Sequence, residues 1–153
     1  MNGEPVDPTR IEQGVEFTSA RRTVTEADII NYAGLSGDFN PLHVDAVFAR
    51  EASPFGERIA HGQLIASIVT GLASELDLWP VISYLGASRS FVAPVAIGDT
   101  ISARYRVTES RRSGSRKRSR VVTLALDVTN QRGETVMTGE DVMLVRAGEA
   151  SPG

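Results

Sequence analysis

The sequence predicts an α+β domain in which an antiparallel sheet of about five strands wraps around a long buried central helix. Two observations carry that prediction. Residues 62–76 are apolar on one helical face and small on the other, with no charge from Leu64 to Ser74. A helix that is apolar or small all round is a covered one. The second half of the chain then alternates apolar and polar residues in runs joined by short turns, and strands so joined run antiparallel. A sheet curled around the helix covers it and leaves its own other face partly wet.

The elements follow in order. Residues 1–10 read as a loose tail, residues 11–146 as a single domain and residues 147–153 as a second loose tail. Val15 to Thr23 is a candidate strand. Thr25-Glu26-Ala27-Asp28 starts a helix, a hydroxyl cap with an acid three positions on. That helix ends at Gly34 or Gly37. Ser36 to Asp45 is a loop, and Ala46–Glu51 a short helical turn broken by Ser53-Pro54-Phe55-Gly56. In the central helix Leu64, Ile65, Ile68, Val69, Leu72 and Leu76 share one face. Strands are expected from Tyr84 to Phe91, Ile101 to Val107, Val121 to Val128 and Val136 to Arg146, with Asn130-Gln131-Arg132-Gly133 turning between the last two.

Composition removes several function classes. The chain has no cysteine, so disulfides, thiolate metal sites and a cysteine nucleophile are excluded. A net charge of -3 gives no global basic field for nucleic acid. The start lacks the basic segment and apolar run of a signal peptide. No uncharged apolar stretch reaches the ~20 residues of a membrane span. A cytoplasmic protein with neither nucleic acid nor membrane as partner is expected.

Chemistry concentrates in Ser36-Gly37-Asp38-Phe39-Asn40-Pro41-Leu42-His43-Val44-Asp45. Pro41 fixes its own φ and extends Asn40, and the Asn40 side chain can bond local backbone and lock the turn. A stiff loop of this kind can hold Asp38 and His43 at a fixed distance as a general acid–base pair. Ordinary turn chemistry with a surface histidine is the plainer alternative. Downstream, Ala60-His61-Gly62 opens the central helix. Its unpaired N–H groups can bind an oxygen gaining negative charge. The plainer alternative has Gly62 merely starting the helix and His61 capping or packing. No metal is expected: the loop breaks the calcium pattern, and two histidines without cysteine make a poor zinc set. Arg111, Arg112, Arg116, Lys117, Arg118 and Arg120 cluster around Ser113-Gly114-Ser115. This is a solvated hairpin turn, or a contact for the phosphates of a bound cofactor or for an acidic carrier protein.

The run Asn31 to Asp45, followed by Ile59-Ala60-His61-Gly62, resembles the MaoC-like hydratases, and among them most the (R)-specific enoyl-CoA hydratases. Phe91-Val92-Ala93-Pro94-Val95 and Gly98-Asp99-Thr100 are similar to that family's strand-and-turn pattern. The resemblance implies a hot-dog fold and a homodimer or higher homo-oligomer with the site near the interface. By position it implies Asp38 and His43 as the catalytic pair, Gly62 N–H as donor to the thioester oxygen, and Asn40 with Pro41 as loop support. The implied reaction is reversible hydration of trans-2-enoyl-CoA to (R)-3-hydroxyacyl-CoA, with no cofactor beyond the CoA carried by the substrate. Ser67, Thr70 and Ala73, on the small face of the helix, would line an acyl pocket, or else close-pack against the sheet. Competing readings are a dehydratase acting on carrier-protein-bound 3-hydroxyacyl chains, a non-catalytic acyl-binding subunit and a hot-dog thioesterase.

Overall fold

The computed structural model describes residues 7–147. Residues 1–6 and 148–153 of the two expected tails lie outside them. The inner ends of those tails are not loose. Pro8–Ile11 makes a 3-10 turn, and Arg10 bonds Glu75 at 2.9 Å. Ala147 is buried, and its N–H bonds the Arg118 carbonyl at 3.1 Å.

Helix α1 covers Glu26–Ser36. Thr25 and Asp28 cap it reciprocally: the Thr25 hydroxyl accepts the Asp28 N–H at 3.3 Å, and the Asp28 carboxylate accepts the Thr25 N–H at 2.9 Å. It stops at Gly37 rather than Gly34, because Gly37 takes the left-handed turn (φ 78°) and returns its N–H to Ala33 O at 2.8 Å. Inside the expected loop the structure has one helical turn, α2, Pro41–Val44. The next turn, α3 (Ala46–Glu51), matches the expected span. Its start is fixed by the Asp45 carboxylate, which accepts the Val47 and Phe48 N–H groups, each at 2.9 Å.

The central helix α4 is shorter than expected, Gly62–Leu72. The chain leaves helical geometry at Ala73 (φ -83°, ψ 75°) and resumes as α5, Ser74–Asp77. The break turns Trp79 back into the core, where Phe17 meets it edge-on at 5.9 Å. Burying a residue of that size outweighs one more helical turn.

The sheet has six strands: β1 (Glu16–Thr18), β2 (Arg22–Thr23), β3 (Val81–Phe91), β4 (Thr100–Arg112), β5 (Ser119–Thr129) and β6 (Thr135–Arg146). All pairings are antiparallel, in the order β1-β4-β5-β6-β3, with β2 also on β4. The single N-terminal strand expected from the sequence is split in two. Between its halves the Ser19 hydroxyl accepts the Ala103 N–H at 2.9 Å, taking the place of a ladder bond.

Leu64, Ile65, Ile68 and Val69 of α4 pack on Tyr105, Leu124, Leu126 and Met143 of the sheet. The Tyr105 hydroxyl donates to the Val69 carbonyl at 3.2 Å. Burial, with the negative charge of Asp141, pushes that phenol up to about 12. The sheet does not enclose α4 completely. Gln63, Ser67, Thr70 and Gly71 are exposed, which corrects the expectation of a helix covered on every side. Strand β3 lies at the sheet edge and pairs with β6 alone. Tyr84, Leu85 and Phe91 stand exposed along it. Among the described residues, no helix is long and apolar enough to cross a membrane.

Candidate active site

The loop between α1 and α3 is shaped by short-range bonds. Ser36 donates its hydroxyl to Tyr32 O at 2.7 Å and accepts the Asp38 N–H at 3.2 Å. The Asp38 carboxylate accepts the Asn40 N–H at 3.2 Å, and the Asn40 side chain accepts the Leu42 N–H at 3.0 Å. Pro41 occupies the first position of α2, where its missing N–H costs nothing and its φ is already helical. Asn40 and Pro41 thus shape the start of α2, which carries His43 one turn beyond Asp38.

Two imidazoles tie this loop to the start of α4. His43 Nδ1 lies 2.7 Å from Ile59 O. A carbonyl only accepts, so Nδ1 carries the proton and donates, and Nε2 is left facing the site. His61, the residue before α4, is buried, and its Nε2 lies 2.9 Å from Asp38 O. By the same argument Nε2 donates, which leaves Nδ1 with a lone pair. That atom is buried and has no hydrogen-bond partner. The two rings stack with centroids 3.8 Å apart at 29°, and Tyr32 flanks His61 at 4.9 Å.

The structure thus brings Asp38, His43 and His61 together. One ligand-capable atom from each lies within 4.8 Å of the others. Asp38 is exposed, His43 half-buried and His61 buried, so the cluster opens to solvent at its acid and closes at its inner imidazole. Two histidines and a carboxylate could hold a metal in other geometries. Here the ring planes are inclined by only 29° with centres 3.8 Å apart. The two rings are in stacking contact rather than splayed around a common point.

Gly62 is the first residue of α4, adjacent in sequence to His61. The N–H groups of a first helical turn have no intrahelical acceptor and carry the positive end of the helix dipole. The Phe91 ring closes over this point: a Cβ built on Gly62 would stand 3.0 Å from three of its atoms. Beside Gly62 lies an apolar recess of about 270 Å³, bounded by Phe55, Ile59, Ile65, Phe91 and Val95 among others. The expected acyl-pocket residues lie elsewhere. Ser67 and Thr70 are on the exposed face of α4, their hydroxyls bonded to Gln63 O and Ala66 O. Ala73 is buried in the core beyond the end of the helix.

His61, expected to cap or to pack, is buried against the rings of Tyr32 and His43. It caps nothing with its side chain. Its contacts run to a loop 23 positions earlier, a pairing that local spacing does not reveal.

A family model described as MaoC like domain matches residues 7–131. The protein called Protein MaoC from Klebsiella aerogenes is 39% identical over 125 residues, which are 78% of this chain and 36% of that protein, so the chain spans about a third of its length. An (R)-specific enoyl-CoA hydratase from Rhodospirillum rubrum is 36% identical over 137 residues, 90% of each chain. The solved structure of a MaoC-like dehydratase from Rhodospirillum rubrum superposes with a TM-score of 0.81 at 30% identity, covering 95% of this chain and 99% of that one.

Proposed function

The chain belongs to the MaoC-like domain family and has its hot-dog fold, and on that premise we propose that it reversibly hydrates trans-2-enoyl-CoA to (R)-3-hydroxyacyl-CoA. Family membership gives the class, a hydro-lyase acting on acyl thioesters. The substrate, the direction and the roles of the residues are the proposal.

The observation that carries it is the convergence of the Asp38 carboxylate and the His43 ring within 4.8 Å at the amino end of an 11-residue helix. A gap of that size suits one water held between an acid and an imidazole. Asp38 accepts a proton from this water as its oxygen attacks C3 of the enoyl chain. His43, anchored through Nδ1 to Ile59 O, presents the Nε2 lone pair to the same water, and the proton that Asp38 took from it is returned through this pair to C2 on the same face. Charge gathers on the thioester oxygen during attack, and the Gly62 N–H and helix dipole oppose it. A donor so placed typically contributes ~10²–10³-fold in rate, and an acid–base pair ~10²–10⁴-fold. One limb of the thioester occupies the apolar recess beside Gly62, and the other leaves along the exposed face of α4 that bears Ser67 and Thr70. No metal or redox cofactor enters these steps, and CoA arrives as part of the substrate.

Run in reverse, the same site dehydrates a 3-hydroxyacyl thioester, and a carrier protein could stand in place of CoA. A non-catalytic acyl-binding role fits less well, since both members of the acid–base pair are present and close. Two copies pair through the open edge of β3, whose unsatisfied backbone groups and exposed Tyr84 and Leu85 suit a second strand. Sedimentation equilibrium is expected to give twice the 16.4 kDa chain mass; a monomer would refute the pairing. The direct test is loss of enoyl absorbance when the purified protein meets a chain-length series of trans-2-enoyl-CoA thioesters. No hydration at any length would overturn the reading.

A further inference from the structure

Resting on that reading and its dimer, we propose that the arginine-rich β4–β5 hairpin of each protomer holds the phosphates of the CoA whose thioester lies in the other protomer's site.

The hairpin is built, and its charge is mostly uncompensated. Ser113 N–H bonds Ser119 O at 2.9 Å, Arg116 N–H bonds the Ser113 hydroxyl at 3.2 Å, and Arg118 adopts a left-handed turn. Arg120 is engaged with Ser110 through Nε at 2.8 Å and Nη2 at 2.6 Å. Arg111 has Glu109 at 3.5 Å. Arg112, Arg116 and Lys117 are exposed, and among the described residues no carboxylate pairs with them. Three unpaired cations on a turn of an otherwise acidic chain repel one another. Phosphate oxygens relieve that repulsion with charge-assisted hydrogen bonds, and the arginine fork fits them bidentately. CoA carries three phosphate groups on its nucleotide end.

The sheet register decides which site the hairpin serves. At one end of the sheet Arg112 stands opposite Arg120, Arg120 opposite Val145, and Val145 opposite Val81. At the other end Phe91 stands opposite Met137, and Met137 opposite Val128. Phe91 is the residue against Gly62. A chain's own hairpin is therefore a whole strand length from its own site, on the order of 30 Å for the 11 residues of β3. Two copies joined edge to edge at β3 by a two-fold axis run antiparallel. With the axis at Gly86, the middle residue of β3, the partner's Val81 lies next to Phe91, and the partner's Arg120 follows three strand spacings away, about 14 Å. The flexible pantetheine arm bridges the gap between a thioester at Gly62 and phosphates at that hairpin.

The test is the triple variant Arg112→Gln, Arg116→Gln, Lys117→Gln, assayed against wild type with crotonyl-CoA and with crotonyl-pantetheine, which lacks the nucleotide. The expected result is a rise in KM for crotonyl-CoA of about tenfold at low ionic strength, fading with added salt, with kcat changed less than twofold. KM for crotonyl-pantetheine should be the same in both proteins. Equal KM values for crotonyl-CoA would overturn the proposal, as would an effect confined to a carrier-protein thioester, which would assign the hairpin to the carrier. Subunit mixing tests the cross-protomer geometry. Hybrids of Asp38→Asn with the triple variant hold one site with an intact Asp38 and an intact opposite hairpin, so low-KM activity should return on mixing. Failure to return would place hairpin and site in the same chain and overturn the arrangement. Absence of hydration by wild type with any thioester would instead refute the enzymatic reading itself.

Discussion

Replacing Asp38 by asparagine separates chemistry from architecture. The Asp38 carboxylate accepts the Asn40 N–H at 3.2 Å, and the carbonyl end of an asparagine side chain can accept it equally well. The other bond at this residue, from His61 Nε2, goes to the main-chain carbonyl at 2.9 Å and does not depend on the side chain. Asp38 is exposed, so no buried charge is removed. The stability change is therefore expected within about 0.5 kcal/mol of wild type. The amide cannot take a proton from water at neutral pH. Loss of a general base typically costs ~10²–10⁴-fold in kcat, which is about 2.7–5.5 kcal/mol of barrier at 1.36 kcal/mol per decade. KM should move little, because in the proposed mechanism Asp38 acts on water rather than on the thioester. The assay is steady-state hydration of crotonyl-CoA, with circular dichroism and a thermal melt confirming the fold. A folded Asp38→Asn protein turning over within threefold of wild type would remove the carboxylate from the mechanism.

Other substitutions probe the surrounding parts. Gly62→Ala drives a Cβ to 3.0 Å from the Phe91 ring, so kcat/KM should fall by roughly 10–100-fold as the helix tip shifts. Adding Phe91→Leu should recover part of the loss, and no recovery would refute the steric account. His61→Phe keeps an aromatic face against His43 but removes the donor to Asp38 O, a bond worth about 1 kcal/mol. Hydrogen exchange across residues 37–43 should quicken and kcat should fall, whereas unchanged exchange would mean that His61 does not order the loop. Burial raises the Asp99 pKa, but the Gln131 amide, the Ala96 N–H and Arg132 outweigh it and hold the carboxyl below its ordinary value. Its stabilising contribution is therefore present above the unfolded-state value near 3.9 and is lost as pH falls through the lower folded-state value. Asp99→Asn should lower stability by about 1–2 kcal/mol at neutral pH, with the gap to wild type closing in acid; a gap that widens as the pH falls would contradict this.

Much of the fold was legible because its signals are local. The alternating runs from residue 101 onward, the Thr25–Asp28 capping box and the span of α3 each follow from spacing within a few residues. The features that escaped are those settled by tertiary contacts. The apolar pattern continues through Leu76, yet α4 yields at Ala73 because burying Trp79 gains more than another turn. The N-terminal strand divides because the Ser19 hydroxyl takes a ladder position. Helix α2 is one turn long, too short for periodicity to register. At the site, Asp38 and His43 lie in a motif whose turn chemistry can be read directly, whereas the contribution of His61 depends on a carbonyl distant in sequence. Small side chains on α4 read as buried, although in a single chain that face is open.

Phe91 belongs both to the outermost strand and to the wall behind the helix tip. Whatever seats against that border also sets the ring that packs over Gly62. On the proposed pairing and chemistry, self-association and turnover would be thermodynamically linked. Dilution below the dissociation constant of the pair should lower specific activity per chain, and saturating substrate should shift the same equilibrium back toward the assembled form by mass action.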